Sequence, residues 1–260
     1  MKNLFTAVFI VAILASPIFA LGQKNNTSWI SADLGANNTW ILNQNMYGNT
    51  ELPYSATIGY SGELSYHHFI DKYGYSAGLG IANLGQNYEG EMAGANAKRK
   101  VNLTYLELPV MGMYNLGGKR RQTWLSVGPQ FMFLLSARQD FSRTGERLIP
   151  HPELMSQGSV NVINRFKPVD IMLAFGLTNF FPIKIHDVIP YRSSEKIIWS
   201  LSLEGALGLT DINQKQFQIS NTHNVYAGSH NFYLGIRVGI MSNLKEMHNA
   251  ISNMFHRSEF

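Results

Sequence analysis

The sequence predicts an all-β fold, an eight-stranded antiparallel transmembrane up-and-down β-barrel, on three observations. Period-2 alternation recurs in eight stretches of about 10–16 residues, longer than the usual soluble strand and long enough to cross a bilayer at a tilt. The face that alternates with the apolar one is small and nearly uncharged. Charged residues make up 15% of the chain, where roughly 25% is ordinary for soluble domains. The 23 glycines, the 12% aromatic content and a net charge of +4 with no tract argue against disorder, a coiled coil and a nucleic-acid binder. The 260 residues include no cysteine, which excludes disulfides, thiolate metal sites, catalytic cysteines and a lipidated-cysteine anchor.

The chain opens with Lys2, an apolar run from Leu4 to Ala15, Pro17, and small residues at Ala20 and Gly22. That is the layout of an export signal, cleaved after Ala20 or Gly22. The run is too short for a spanning helix of about 20 apolar residues. The expected organisation is a signal peptide over 1–22, a barrel domain over 23–243 and a tail over 244–260.

Strands are expected near 27–37, 55–68, 72–84, 101–114, 122–137, 167–179, 196–210 and 230–242. Trp199, Leu201 and Leu203 alternate with Ser200, Ser202 and Glu204. Phe232, Leu234, Ile236, Val238 and Ile240 alternate with Tyr233, Gly235, Arg237 and Gly239. Val169, Ile171, Leu173, Phe175 and Leu177 alternate with Asp170, Met172, Ala174 and Gly176. Successive side chains of a strand point to opposite faces, so each strand carries two chemically distinct surfaces. The second connection, Phe69 to Asp71, and the fourth, around Gly117-Gly118, are short; the first, third, fifth and seventh are long. Short turns at one end and long loops at the other form the outer-membrane barrel pattern. The sixth connection, with Pro182 and Pro190, is longer than that pattern allows.

The minor face decides which side is wet. A soluble barrel needs several Lys, Glu or Gln per strand outside. Here that face holds Gly, Ser, Ala and Thr with Asp33, Glu63, Glu107, Asp170, Glu204 and Arg237, about one ionisable group per strand. It suits the filled lumen of an eight-stranded barrel, and the apolar face then meets lipid. On closure, strand eight lies between strands seven and one. A hairpin centred near Ser220 and Asn221 sets Glu204 level with Arg237, and the two are expected to pair. Five carboxylates against one cation leaves an imbalance, and an unpaired buried carboxylate costs several kcal/mol or takes up a proton. Either Arg138 reaches in from a loop or water fills part of the lumen. These six residues read as a structural polar network rather than a catalytic site.

Other constellations are weaker. His67 and His68 are adjacent on a strand, point to opposite faces and cannot chelate one metal. His151, His186, His223 and His230 lack ligand spacing. With no nucleophile elbow, phosphate loop or zinc signature, no catalytic, cofactor-binding or metal-binding residue is expected. Lys98, Arg99 and Lys100, in the third connection, are candidates for contact with lipopolysaccharide phosphates, with an ordinary solvated loop as the alternative. Lys119-Arg120-Arg121, at the fourth turn, suits the inner headgroups. The fifth connection, 138–166, carries Arg138, Arg143, Glu146, Arg147, His151 and Glu153 and is the candidate for contact with an envelope protein. Trp29, Tyr66, Tyr73, Trp124 and Trp199 fall toward strand ends, as interfacial girdles require, although alternation turns Trp124 inward. In the tail, Leu244, Met247, Ile251, Met254 and Phe255 recur at helical spacing. Residues 244–257 are either a short amphipathic helix or a frayed terminus.

Tyr105-Leu106-Glu107-Leu108-Pro109, followed by Val110 and Tyr114, resembles a recurrent element of the PorT-type outer-membrane β-barrel family. Gly128-Pro129-Gln130-Phe131 leading to Leu134-Leu135-Ser136-Ala137 is similar to that family's GPxxxxLLSA strand. Gly208-Leu209-Thr210-Asp211-Ile212 is similar to its G-L-T-N-I strand end, with Asp for Asn. The likeness runs from about residue 29 to 242. It implies a Gram-negative cell outer membrane and an eight-stranded barrel, but no single activity; a few members serve protein secretion and gliding. By alternation Glu107 and Pro109 point inward, and Pro109, lacking an N–H, marks a bulge or a ladder break. Pro129 faces lipid, and Gly128 leaves room for a kink.

The functional expectation is a non-catalytic structural, binding or envelope-assembly component. Its partners are outer-membrane lipid, lipopolysaccharide and an envelope protein, without nucleic acid or cofactor. The alternatives are a barrel-embedded lipid-modifying enzyme and a soluble periplasmic ligand-binding barrel. A filled eight-stranded lumen argues against a general diffusion pore, since porins use 16–18 strands.

Overall fold

The computed structural model describes residues 26–43, 53–92, 95–117, 123–144, 158–184, 196–218 and 226–244. The expected signal peptide, and the tail beyond Leu244, lie outside the described residues. So do His151, His186, His223 and the basic turn 119–121.

The alternating segments form eight long strands: β1 (Asn26–Leu42), β3 (Ile58–Ile70), β4 (Tyr73–Met92), β5 (Ala95–Asn115), β6 (Thr123–Thr144), β8 (Val169–Lys184), β9 (Lys196–Gly208) and β10 (His230–Asn243). Two short strands, β2 (Tyr54–Ser55) and β7 (Gly158–Asn161), pair with β4 and β6. Consecutive long strands pair antiparallel, and β10 returns to β1 from Trp29↔Asn243 to Leu42↔His230, closing the ring. Closure leaves the ring of long strands without an open edge, which lets them cross lipid where an open sheet cannot. Among the described residues no helix is long and apolar enough to cross a membrane.

Side-chain direction follows the alternation. Leu34, Leu64, Leu79, Ile81, Val127, Leu173, Leu201, Leu203, Ile236 and Val238 are exposed on the outer surface, while Ser31, Ser61, Ser65, Glu107, Asp170 and Ser200 are buried inside. Outward apolar residues on every wall form the lipid-facing band. Inside, a layer of Met113, Trp124, Phe180, Ile198 and Met241, joined by Trp29 and Phe69, fills the end that carries the short turns. A larger layer including Ile41, Leu84, Leu103, Tyr105, Met132, Met172, Phe166 and Ile212 fills the other end. Trp29 and Trp124 are therefore lumen residues rather than girdle residues; Tyr73, at 67% exposure, and Trp199, at 40%, do face outward.

Three connections differ from expectation. The third is short rather than long, because β4 and β5 stay paired as far as Met92↔Ala95. Beyond the lipid-facing band the outward positions turn polar, yet the inward ones, Leu84, Gln86, Tyr88, Ala97, Arg99 and Val101, remain buried and keep the strands registered. The apolar alternation ends there but the strand does not. β6 likewise runs to Thr144, so Arg138 lies on a strand and is exposed, not reaching into the lumen. The sixth connection shortens because β8 continues through Pro182 to Lys184.

The ladder beside Pro109 is interrupted without a shift of register: Ala77↔Val110 is followed by Gly80↔Glu107, and Pro109↔Gln130 by Gly112↔Val127. It is a break, not a bulge. The bulge lies at the pair Thr104↔Ser136 and Tyr105↔Leu134, where Leu135 is the extra residue and the inside-outside parity of β6 changes.

Candidate functional site

The lumen centre is organised around Arg237. Its Nε donates to Glu204 Oε1 at 2.9 Å, Nη1 contacts Glu63 Oε2, and Nη2 lies 3.6 Å from Glu107 Oε1. Register sets Glu204 opposite Gly235, not Arg237, so the expected level pair is offset by two residues and the long side chain spans the difference. Asp33 and Glu63 are directly opposite one another on β1 and β3. Like charges so placed repel, and each is compensated by a serine two residues along its own strand. Ser31 Oγ donates to Asp33 Oδ2 at 2.5 Å, and Ser65 Oγ donates to Glu63. Ser200 Oγ donates to Asp33 at 3.3 Å. Gln130 Nε2 donates to Glu107 Oε2 at 2.7 Å and accepts at Oε1 from the Tyr233 hydroxyl at 3.1 Å.

Glycine provides the room. Asp33 faces Gly239, Glu63 and Glu107 both face Gly80, Glu204 faces Gly235 and Gly176, and Arg237 faces Gly35. A Cβ on Gly80 would lie 2.6 Å from both Glu107 Oε1 and the Gly62 carbonyl oxygen, closer than packing allows. The many glycines of the chain are thus the counterpart of its inward carboxylates. A cavity of about 80 Å³ beside the network is lined by Asp33, Glu63, His67, Ser200 and Arg237. That is room for a few waters.

Asp170 stands apart from this group. It accepts from Thr210 Oγ1 at 2.6 Å and Asn231 Nδ2 at 2.8 Å, and Asn231 Nδ2 also donates to the Tyr105 hydroxyl at 3.1 Å. Asp211, next to Thr210, organises the seventh connection. It accepts from Gln218 Nε2 at 2.6 Å, from the Tyr226 hydroxyl at 2.9 Å and from the backbone N–H of Ser229 at 3.0 Å. Burial first, and then the Asp211 carboxylate, hold the Tyr226 phenol above its ordinary value, so it stays a donor. His67 points inward to Ser31 Oγ at 2.9 Å, whereas His68 points outward to Ser28 Oγ at 3.0 Å. Among the described residues no cluster of His, Asp and Glu is arranged to hold a metal.

Lys98, Arg99 and Lys100 are on β5, not in a loop. Arg99 turns inward, is 6% exposed and lies 5.4 Å over the Tyr88 ring, so it does not share a surface with its neighbours. Lys98 pairs with Glu89 at 2.5 Å, and Lys100 is exposed. Gln130, Asn231, Ser31 and Ser65 are not singled out by the sequence, and Ser200 and Tyr233 are placed on the inward face without a role. The i, i+2 spacing of Ser31 with Asp33 and of Glu63 with Ser65 is the signal that was present.

Residues 21–214 match the outer membrane protein beta-barrel domain. Among solved structures the chain is similar to Neisserial surface protein A at 8% identity, TM-score 0.40, over 84% of this chain and 99% of that one. It is similar to Ail, the attachment invasion locus protein of Yersinia pestis, at 12% identity, TM-score 0.33, over 84% and 99%. OprG from Pseudomonas aeruginosa follows at 12% identity, TM-score 0.32, over 84% and 96%. No curated protein matches the chain.

Proposed function

The chain belongs to the outer membrane protein beta-barrel domain family, and from that premise we propose that it is a non-catalytic envelope component of the PorT-type kind. In this reading the barrel is a rigid anchor and its extracellular sheet the working part. The carrying observation is the lumen, where the Arg237 network is clamped between two apolar layers. Such an interior resists transport and holds the walls in one shape, which favours presentation of the β4–β5–β6 sheet to a partner. The test is purification from native membranes together with planar-bilayer recording. A stoichiometric envelope protein retained by the barrel, with no porin-sized steps, is expected. Porin-sized conductance overturns the anchor reading.

A lipid-modifying enzyme is favoured by one contact, the lipid-facing Ser28 and His68 at 3.0 Å near the short-turn rim. Incubation with phospholipid and lipid A vesicles, read by mass spectrometry, tests it, and unaltered lipids remove it.

A further inference from the structure

The outward face of the sheet above the lipid band is mostly polar and holds a groove whose lining includes Tyr88 and Phe141. Register carries one cross-strand row over five strands, Ser55–Asn87–Lys100–Asp140–Ser159. Directly opposed residues of an antiparallel ladder share a face. Glu89, Lys98 and Ser142 form the next row outward, and Asn102, Arg138 and Asn161 the next row toward the membrane. A groove of about 610 Å³ runs along the upper two rows, within the range of small-ligand sites. Below them Asn83, Thr104 and Ser136 adjoin Ile81, Leu106 and Phe133, the last complete apolar outward row, with the bulge residue Leu135 exposed beside them. At about 3.4 Å per residue and a tilt of about 40°, the Arg138 and Lys100 rows stand roughly 10–15 Å above that edge.

We propose that this groove seats the phosphate- or carboxylate-bearing saccharide headgroup of a glycolipid in the outer leaflet. Lys100 and Arg138 take its anionic groups, and Asn87, Ser142 and Ser159 take its hydroxyls. The direction of the face selects the occupant. It looks sideways, as the lipid-facing strands do, so whatever fills it stands beside the barrel with its apolar part in the band below. Charge favours an anion by a margin of one: Lys98 is held by Glu89 at 2.5 Å, and the exposed Lys100 and Arg138 outweigh Asp140, which lies opposite Lys100 and accepts from Asn102 at 3.4 Å. The inference rests on the outer-membrane reading, with the long strands β4–β6 projecting outside the cell.

The test uses full-length protein in phosphatidylcholine vesicles titrated with rough lipopolysaccharide, and heat-modifiable gel mobility as the folding control. A basic residue beside an anionic lipid surface is worth about fivefold in affinity, so the double variant K100A/R138A should bind about 25-fold more weakly. Lys72→Ala, at the opposite rim, should bind like the unmodified protein. Equal binding by the double variant, or no binding by the unmodified protein, overturns the proposal. Dextran sulfate binding more tightly than lipopolysaccharide, and losing affinity in the double variant, makes the occupant a soluble polyanion and overturns the glycolipid assignment. Asn96→Cys, exposed on β5 beyond the groove, separates the two levels. If a membrane-impermeant maleimide fails to label it in intact cells, the outer-membrane orientation falls. If it labels while K100A/R138A binds normally, the glycolipid inference alone falls.

Discussion

Replacing Arg237 with Met removes the one cation that, among the described residues, touches Glu63, Glu107 and Glu204, while keeping a side chain of similar length. Arg237 is 9% exposed and Glu107 is 1% exposed, so solvent does not take over the lost contacts. Breaking a buried ion pair by deleting one partner costs about 3–5 kcal/mol, because the surviving charge stays buried without compensation. For a chain of this size each kcal/mol lowers Tm by about 2–4 °C, which sets the expected loss on the order of 10 °C. The assay is the heat-modifiable gel shift, followed against temperature in detergent micelles. Two companions locate the cause. Arg237→Lys restores the charge but not the three-sided donor set and should fall between the parent and Met. Adding Glu63→Gln and Glu204→Gln to Arg237→Met should recover part of the loss, since neutral amides no longer need the guanidinium. An unchanged melting transition for Arg237→Met refutes the pairing, and no recovery in the triple variant refutes the electrostatic cause.

Gly80→Ala should cost about 1–3 kcal/mol of stability by colliding with Glu107 and the Gly62 carbonyl. Gly112→Ala, whose nearest contact would be 3.7 Å, should melt like the parent; equal behaviour of the two removes the steric account of the glycines. Leu203→Arg, on the outer surface at 60% exposure, should destabilise the barrel in vesicles by about 2–4 kcal/mol, read by urea titration. No change would mean that this face does not meet lipid. Asp211→Ala removes the acceptor shared by Gln218, Tyr226 and Ser229, so limited proteolysis within 209–229 should accelerate while gel mobility is kept. Unaltered cleavage would show that the carboxylate does not hold this connection.

The membrane-embedded half of the fold is legible because lipid enforces a strict code. Leu201 and Leu203 must be apolar and Ser200, Ser202 and Glu204 must fit inside, so alternation reports both strand and face. The code stops where lipid stops. Asn83, Asn87, Lys98 and Lys100 face water with the same geometry that Ile81 has in the band, yet their composition reads as loop. The strand there is held by its inner side, by Leu84, Gln86, Tyr88 and Val101, and by its neighbours on either side. Such pairing is non-local and leaves no local periodic signature on the outer face. The same limit hid the role of Arg138. The residue added at Leu135 shifts the parity of β6, and only the register to β5 shows that Arg138 joins Asn102 and Asn161 outside.

The site was legible in membership but not in connectivity. Inward parity singles out Glu63, Glu107, Glu204 and Arg237, but parity is blind to distance across the lumen. In the closed ring β5 is four strands from β10 in either direction, so Arg237 reaches Glu107 across the diameter rather than along a ladder. A barrel of eight strands is narrow enough for one long side chain to span, and the glycines facing Glu63, Glu107 and Glu204 leave the room for it. Arginine suits that task better than lysine. Its planar fork presents donors in several directions at once, and here Nε, Nη1 and Nη2 meet carboxylates from β9, β3 and β5. A lysine ammonium, one point charge on a flexible stem, can neutralise one of these walls but cannot tie three of them to a fourth.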